Sequence, residues 1–212
     1  MILAALTLGT AALAGVLLQH GATTWLEAIS FVTGAICVWL TVMESVWNFP
    51  ISMINVAAFA VVFFRARLVA DTGLQVVYFV LSAIGWYLWL FGGSGKTPLR
   101  ITKTPSRRGR NVGACVIVLT IVLYITLRYL GGASPGWDAF TTALSLGAQW
   151  LLDRKHLENW LLWIAADVIY IPLYLYKQLY LTSALYAVFL CMAIIGWMSW
   201  RRTYRRLQET PS

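Results

Sequence analysis

The chain has 212 residues, 60% of them hydrophobic and only 11% charged, with a net charge of +8. A soluble domain carries about 25% charge, so the composition excludes a soluble enzyme and leaves no length for a separate soluble catalytic domain. The positive charge does not call for nucleic acid: it collects in short stretches between long apolar runs, as in a polytopic helical membrane protein with basic cytoplasmic loops.

The opening MILAALTLGTAALAGVLL lacks the basic n-region of a signal peptide. It is expected to form an extra amino-terminal span within residues 1–22. Further apolar segments run at 25–43, 48–64, 74–91, 112–130, 137–152, 159–176 and 181–200. Several are shorter than the roughly 20 residues of an untilted span. Together they make one membrane domain over residues 1–212.

Basic residues predict the orientation. Lys96, Arg100, Lys103, Arg107, Arg108 and Arg110 follow the fourth segment. Arg154 and Lys155 follow the sixth, and Arg201, Arg202, Arg205 and Arg206 close the chain. With these inside, twelve of the sixteen Lys and Arg are cytoplasmic and the carboxyl terminus is cytoplasmic too. Arg65, Arg67, Arg128 and Lys177 fall on the other side.

The two halves resemble each other at a shift of 111 residues, from Asn48 to Asn159. At that shift Glu27 meets Asp138, Trp39 meets Trp150, and Phe59 and Phe63 meet Tyr170 and Tyr174. GWYLW at 85–89 likewise meets GWMSW at 196–200. The expected fold is therefore all-α, with two parallel three-helix repeats (25–91 and 137–200) joined by a linker helix (112–130). This is a three-plus-one-plus-three plan with the extra amino-terminal helix in front. Parallel repeats are a transporter device, with substrate held near the midplane between them.

Wound at about 100° per residue, Asn159, Trp163, Asp167, Tyr170 and Tyr174 fall within a wedge of roughly 80°. In the partner segment Asn48, Ser52, Asn55, Phe59 and Phe63 share a similar face. Buried amides need hydrogen-bond partners, which a substrate can supply. Aromatic faces stack on flat rings and attract cations. A carboxylate inside a span is costly unless paired, protonated or hydrated, and marks a functional site by default. The candidate substrate-binding residues are Asp167, Trp163, Asn159, Trp160, Tyr170, Tyr174, Gln149, Asn48 and Asn55. Helix capping competes with binding at Asn159, and an interfacial belt role competes at Trp160 and Trp163. Trp86, Trp89, Trp197 and Trp200 read as belt residues. Glu27 and Asp138 read as helix starts, and Pro50 and Pro172 as hinges or tolerated membrane prolines.

Catalytic chemistry finds little purchase. His20 and His156 are the two histidines, both near span ends. Cys37, Cys115 and Cys191 lack metal-ligand spacing and read as small packing residues. No G-x-S-x-G or P-loop appears, and residues 181–200 lack the lysine a retinal Schiff base needs. Neither a metal nor another cofactor is expected. A membrane enzyme or receptor remains the alternative of another class.

LENWLLWIAADVIYIPLYLYKQLYLTSALYAVFL, preceded by DAFTTALSLGAQWLLDRKH, resembles the PnuC family of vitamin transporters. So do WLEAISFVTGAICVWLTVMES, NFPISMINVAAFAVVFF and GLQVVYFVLSAIGWYLW in the first half. The resemblance covers most of residues 25–202, with ENWLLW its most specific part, and leaves out 1–22 and 92–111. It implies a multi-pass transporter of a bacterial inner membrane, carrying nicotinamide riboside by facilitated diffusion; the repeats 25–91 and 137–200 imply alternating access around the central site. It also implies a functional link to a cytoplasmic kinase that traps the vitamin, and a homo-oligomer, with trimers found among relatives. The partners are thus a small vitamin and the lipid bilayer, with no nucleic acid. Many members carry Asn at the position of Asp167. That departure keeps thiamine, or another related vitamin or nucleoside, open as the cargo.

Overall fold

Each apolar run becomes a helix because a backbone inside a bilayer must satisfy its own hydrogen bonds. In a computed structural model, the structure describes residues 2–19, 25–65, 69–131, 134–176, 178 and 180–209. His20, Arg67 and Lys177 lie outside them, as do the side chains of Glu27 and Phe63. The helices are α1 (Ile2–Gln19), α2 (Trp25–Val42), α3 (Asn48–Arg65), α4 (Val69–Phe91), α5 (Ser106–Tyr129), α6 (Pro135–Asp153), α7 (Asn159–Tyr176) and α8 (Tyr180–Glu209). No strand occurs among the described residues, only an isolated bridge between Thr102 and His156. Thr72–Phe91, Ser106–Tyr129, Asn159–Tyr176 and Thr182–Glu209 are long and apolar enough to cross a membrane. Ala5–Val16, Val32–Val42 and Asn48–Val61 are shorter apolar helices.

The chain divides into two compact units, Met1–Leu99 and Arg100–Ser212. In the first, α1 packs on α2, α2 on α3 and α3 on α4. In the second, α5 packs on α6, α6 on α7 and α7 on α8. The core of the second unit gathers Val116, Ala143, Leu144 and Ala166, with Leu162 and Tyr170 against it.

One turn occurs twice. After α2, Glu44 takes a left-handed φ of 57°. Its N–H reaches Thr41 O at 3.0 Å, while Ser45 N–H reaches Leu40 O at 2.9 Å. After α6, Lys155 has φ 48°. Its N–H reaches Leu152 O at 2.8 Å, and His156 N–H reaches Leu151 O at 3.0 Å. Both are Schellman endings with a non-glycine residue in the left-handed position. Asparagine then starts the next helix in each. Asn48 Nδ2 donates to Ser45 O at 2.8 Å, and Asn159 Nδ2 donates to His156 O at 2.7 Å.

The tryptophans at the ends of α4 and α8 correct the belt reading. Trp89 is 1% exposed and Trp200 0%, so neither lies at a lipid interface. Trp89 meets Phe49 edge-on at 5.1 Å, and Trp200 meets Trp160 edge-on at 5.5 Å. Each large ring fills the bottom of its own helix pair. Trp86, in contrast, is exposed. Cys115 and Cys191 are also exposed, so the packing reading does not hold for them.

Three boundaries differ from the hydropathy pattern, the first being that of α4, which begins at Val69 rather than at 74. α5 begins at Ser106, because Arg107, Arg108 and Arg110 lower hydropathy without opposing helix formation. α8 runs on to Glu209 through its arginines for the same reason. The basic stretch between α4 and α5 is pinned down. Thr102 N–H donates to Lys155 O at 3.0 Å, and Leu157 N–H to Thr102 O at 2.9 Å. Glu158 Oε2 accepts from both Thr104 N–H (2.7 Å) and Thr104 Oγ1 (2.6 Å).

Candidate substrate site

The polar stripe of the second unit lies on α7. Asn159 opens the helix and is fully buried. Its Nδ2 is used by the turn, but Oδ1 has no partner among the described residues. A buried amide oxygen without a donor is an acceptor that a hydroxyl or amide of a bound molecule can use. Capping-type bonding and ligand binding are therefore compatible at this residue. Asp167 sits two turns further on, about 12 Å along the axis at about 1.5 Å per residue.

Asp167 is 3% exposed. Among the described residues nothing donates to its carboxylate and no cation pairs with it. A carboxylate in the middle of a span costs about 2.5–3.5 kcal/mol on insertion scales. Nothing described in the fold offsets that cost.

The surroundings of Asp167 are aromatic. Tyr170, Tyr174 and Tyr186 form one stack. Tyr170 and Tyr186 are 4.5 Å apart, Tyr174 and Tyr186 5.2 Å, and Tyr170 and Tyr174 5.6 Å. Phe189 closes on Tyr186 edge-on at 5.8 Å. Asp167 lies within electrostatic range of Tyr170 and Tyr186. From α6, the hydroxyls of Thr141 and Ser145 lie within hydrogen-bonding reach of Tyr170. Tyrosines with an anion beside them are suited to a flat cationic ring.

Tyr186, Thr141 and Ser145 were not singled out from the sequence. The signal was available on α8: Tyr186, Phe189, Ala193, Gly196 and Trp200 recur at helical spacing and make one face. That face meets α7 at both ends, through Tyr186 and through Trp200.

The other candidates are placed differently. Trp163 is half-buried on the stripe. Trp160 is 2% exposed and packs on Trp200 and over Gly196, where a Cβ would come within 2.6 Å of its ring. Its Nε1 finds no acceptor among the described residues. Gln149 donates to Asp153 Oδ1 at 2.8 Å, and Asp153 Oδ2 is buried without a partner among the described residues. In the first unit, Asn48 bonds back to Ser45, and Asn55 Nδ2 donates to Thr33 Oγ1 at 2.5 Å. Pro172 lies inside α7, and the neighbouring Ile171 O accepts from Ser183 Oγ at 2.9 Å, tying α7 to α8 there. Pro50 falls in the first turn of α3, where the missing N–H is no loss. Among the described residues no group of His, Cys, Asp and Glu could hold a metal ion.

The turn before α7 carries a second polar centre. His156 is buried, with Nδ1 2.9 Å from Thr102 Oγ1 and Nε2 2.8 Å from Arg108 Nη1. A guanidinium only donates, so Nε2 accepts and Nδ1 carries the proton. Burial first, and then the Arg108 charge, push the His156 pKa below the usual imidazole value.

The family model described as nicotinamide mononucleotide transporter matches residues 24–202. The chain belongs to this transporter family. A nicotinamide riboside transporter PnuC of Escherichia coli K12 is 29% identical, with 86% of this chain and 87% of that one covered. The PnuC of Neisseria mucosa is 27% identical over 86% of this chain and 74% of its own length. A riboflavin/roseoflavin transporter, RibM of Streptomyces davaonensis, is 22% identical over 86% and 87%. A crystal structure titled as the vitamin B3 transporter PnuC matches with a TM-score of 0.76 at 24% identity, covering 97% of this chain and 93% of that one. The fold is that of this transporter, and the chain is a multi-pass membrane transporter rather than an enzyme.

Proposed function

We propose that the chain carries nicotinamide riboside across a bacterial inner membrane by facilitated diffusion, with the α7 stripe as part of its binding site. The observation that carries this reading is the buried Asp167 carboxylate without a described partner, beside the stack of Tyr170, Tyr174 and Tyr186. Nicotinamide riboside has a cationic pyridinium, a carboxamide and a ribose. The tyrosine faces and Asp167 suit the ring. Asn159 Oδ1, Gln149 and Trp163 offer polar and aromatic groups for the rest. The names of the relatives at 27–29% identity support this cargo.

A second reading is thiamine. Its thiazolium is cationic, and its aminopyrimidine can donate to a carboxylate. The Asp167 carboxylate keeps this cargo open.

Transport would proceed by alternating access of two three-helix repeats. The paired Schellman turns, the matched asparagines and the matched edge-on ring pairs at one shift support the repeats. The family resemblance supports trapping by a cytoplasmic kinase and a trimeric assembly, and the distribution of Lys and Arg supports a cytoplasmic carboxyl terminus.

The test is uptake of labelled riboside into proteoliposomes. Equilibration down the gradient, unchanged by an imposed pH gradient and accelerated by internal unlabelled riboside, is expected. Uptake that needs a proton gradient would overturn facilitated diffusion. No riboside flux in vesicles active with thiamine would move the cargo to thiamine.

A further inference from the structure

α6 presents two faces. Thr141, Ser145 and Gln149 belong to the side of the tyrosine stack, whereas Ala143, Leu146, Gly147 and Trp150 turn toward α5 and line a cavity of about 600 Å³. The cavity is amphiphilic along its length. One end holds Arg107, Arg108 and Asn111 from the first turns of α5, with the Trp150 ring opposite. The remainder is apolar, walled by Val112, Val116 and Leu119. From Arg108 to Leu119 the helix rises about 16 Å at about 1.5 Å per residue. That is close to half of a hydrocarbon core about 30 Å thick, so the groove has the depth of one leaflet.

Three features point to an anion at the basic end. Among the described residues no carboxylate lines the groove, while two guanidiniums do. Arg108 is held in place by His156 Nε2 through one nitrogen, and Arg154 adds a further charge by lying 3.8 Å over the Trp150 ring. The α5 amino terminus has Pro105 at its cap position, no side-chain cap and no acidic residue in its first turn. Arginines at that end oppose the helix dipole, and an anion reverses the mismatch.

We propose that this groove binds one anionic phospholipid, its phosphodiester held by Arg107 and Arg108 and one acyl chain lying along α5 over Leu146 and Gly147. Basic pockets between transmembrane helices recognise headgroups in this way. The apolar wall selects a lipid over a free phosphate. The pair of arginines selects an anionic headgroup over a zwitterionic one. The occupant would bridge α5 and α6 at the level where Trp150 meets the headgroup region.

Cys115 lines the groove and is exposed, which makes it a reporter. The purified full-length protein, in detergent stripped of lipid, would be alkylated with a maleimide and each cysteine followed by peptide mass spectrometry. Phosphatidylglycerol should slow Cys115 at least tenfold, leave Cys191 unchanged, and outcompete phosphatidylcholine. Native mass spectrometry should show phosphatidylglycerol retained about fivefold less for Arg107→Gln, the factor for about 1 kcal/mol per basic residue at an anionic surface. Arg107 makes no contact with His156, so this variant tests the headgroup without loosening the turn, and Arg108→Gln should weaken retention further. Equal protection by phosphatidylcholine, or unchanged retention in both variants, would overturn the proposal. Protection by glycerol phosphate alone would assign the basic end to a free phosphate and overturn it too. Cys115 already unreactive in the lipid-free protein would give the groove to a second copy of the chain, with the same consequence.

Discussion

Replacing Asp167 separates binding from stability. The carboxylate is 3% exposed and has no described donor or cation, so it contributes no internal bond that a substitution could break. Its value lies in what it offers a cationic substrate. A charge-assisted hydrogen bond is worth about 1.5–3 kcal/mol, and about 1.4 kcal/mol is tenfold in Kd. Asp167→Ala should therefore weaken riboside binding roughly 10- to 150-fold. The same change removes a buried polar group, so the unfolding midpoint without substrate should stay level or rise. Asp167→Asn keeps a hydrogen-bonding group of the same shape and should fall between wild type and Ala. The assay is calorimetric titration of each variant beside thermal unfolding in the same detergent. A folded Asp167→Ala protein with wild-type affinity would refute the role of this carboxylate. A lower midpoint in proportion to lost affinity would reduce Asp167 to a structural residue.

Other expectations follow from the turn and the helix contacts. Glu158→Ala should free the segment around Thr104 at a loss of about 1.5 kcal/mol, the low end for bonds to a charged acceptor because Glu158 is partly exposed; hydrogen exchange at residues 100–105 should quicken while helix content holds. His156 is neutral in the fold and its pKa is depressed by burial and Arg108. As pH falls below the usual 6.5, the unfolded chain takes up a proton that the folded imidazole refuses, so stability should fall with pH there. His156→Gln should flatten that dependence in pH-resolved thermal unfolding. Gly196→Ala should destabilise by about 1–3 kcal/mol through overpacking, since its Cβ would meet the Trp160 ring at 2.6 Å; an unchanged midpoint would mean that Trp160 is free to move.

The helices were legible because each contains a long apolar run and most charged residues fall between those runs. Boundaries failed where charge and helix propensity disagree, at Arg107–Arg110 and Arg201–Arg206. Trp89 and Trp200 sit at span ends in sequence, which resembles a belt. Only their partners, Phe49 and Trp160, show that they face inward. The α7 stripe was legible from its period, and the structure adds the stack that Tyr186 completes from α8. The bonds of Thr102 and Thr104 to residues 155–158 join segments more than 50 residues apart, and no local pattern encodes them.

The most direct measurement is calorimetric titration of the purified protein with nicotinamide riboside and, separately, with thiamine. Saturable binding of the riboside, with thiamine silent or much weaker, is the predicted result. Thiamine alone binding would keep the site and change the cargo. Binding of neither would contradict a site for cationic vitamins built on Asp167 and the tyrosine stack.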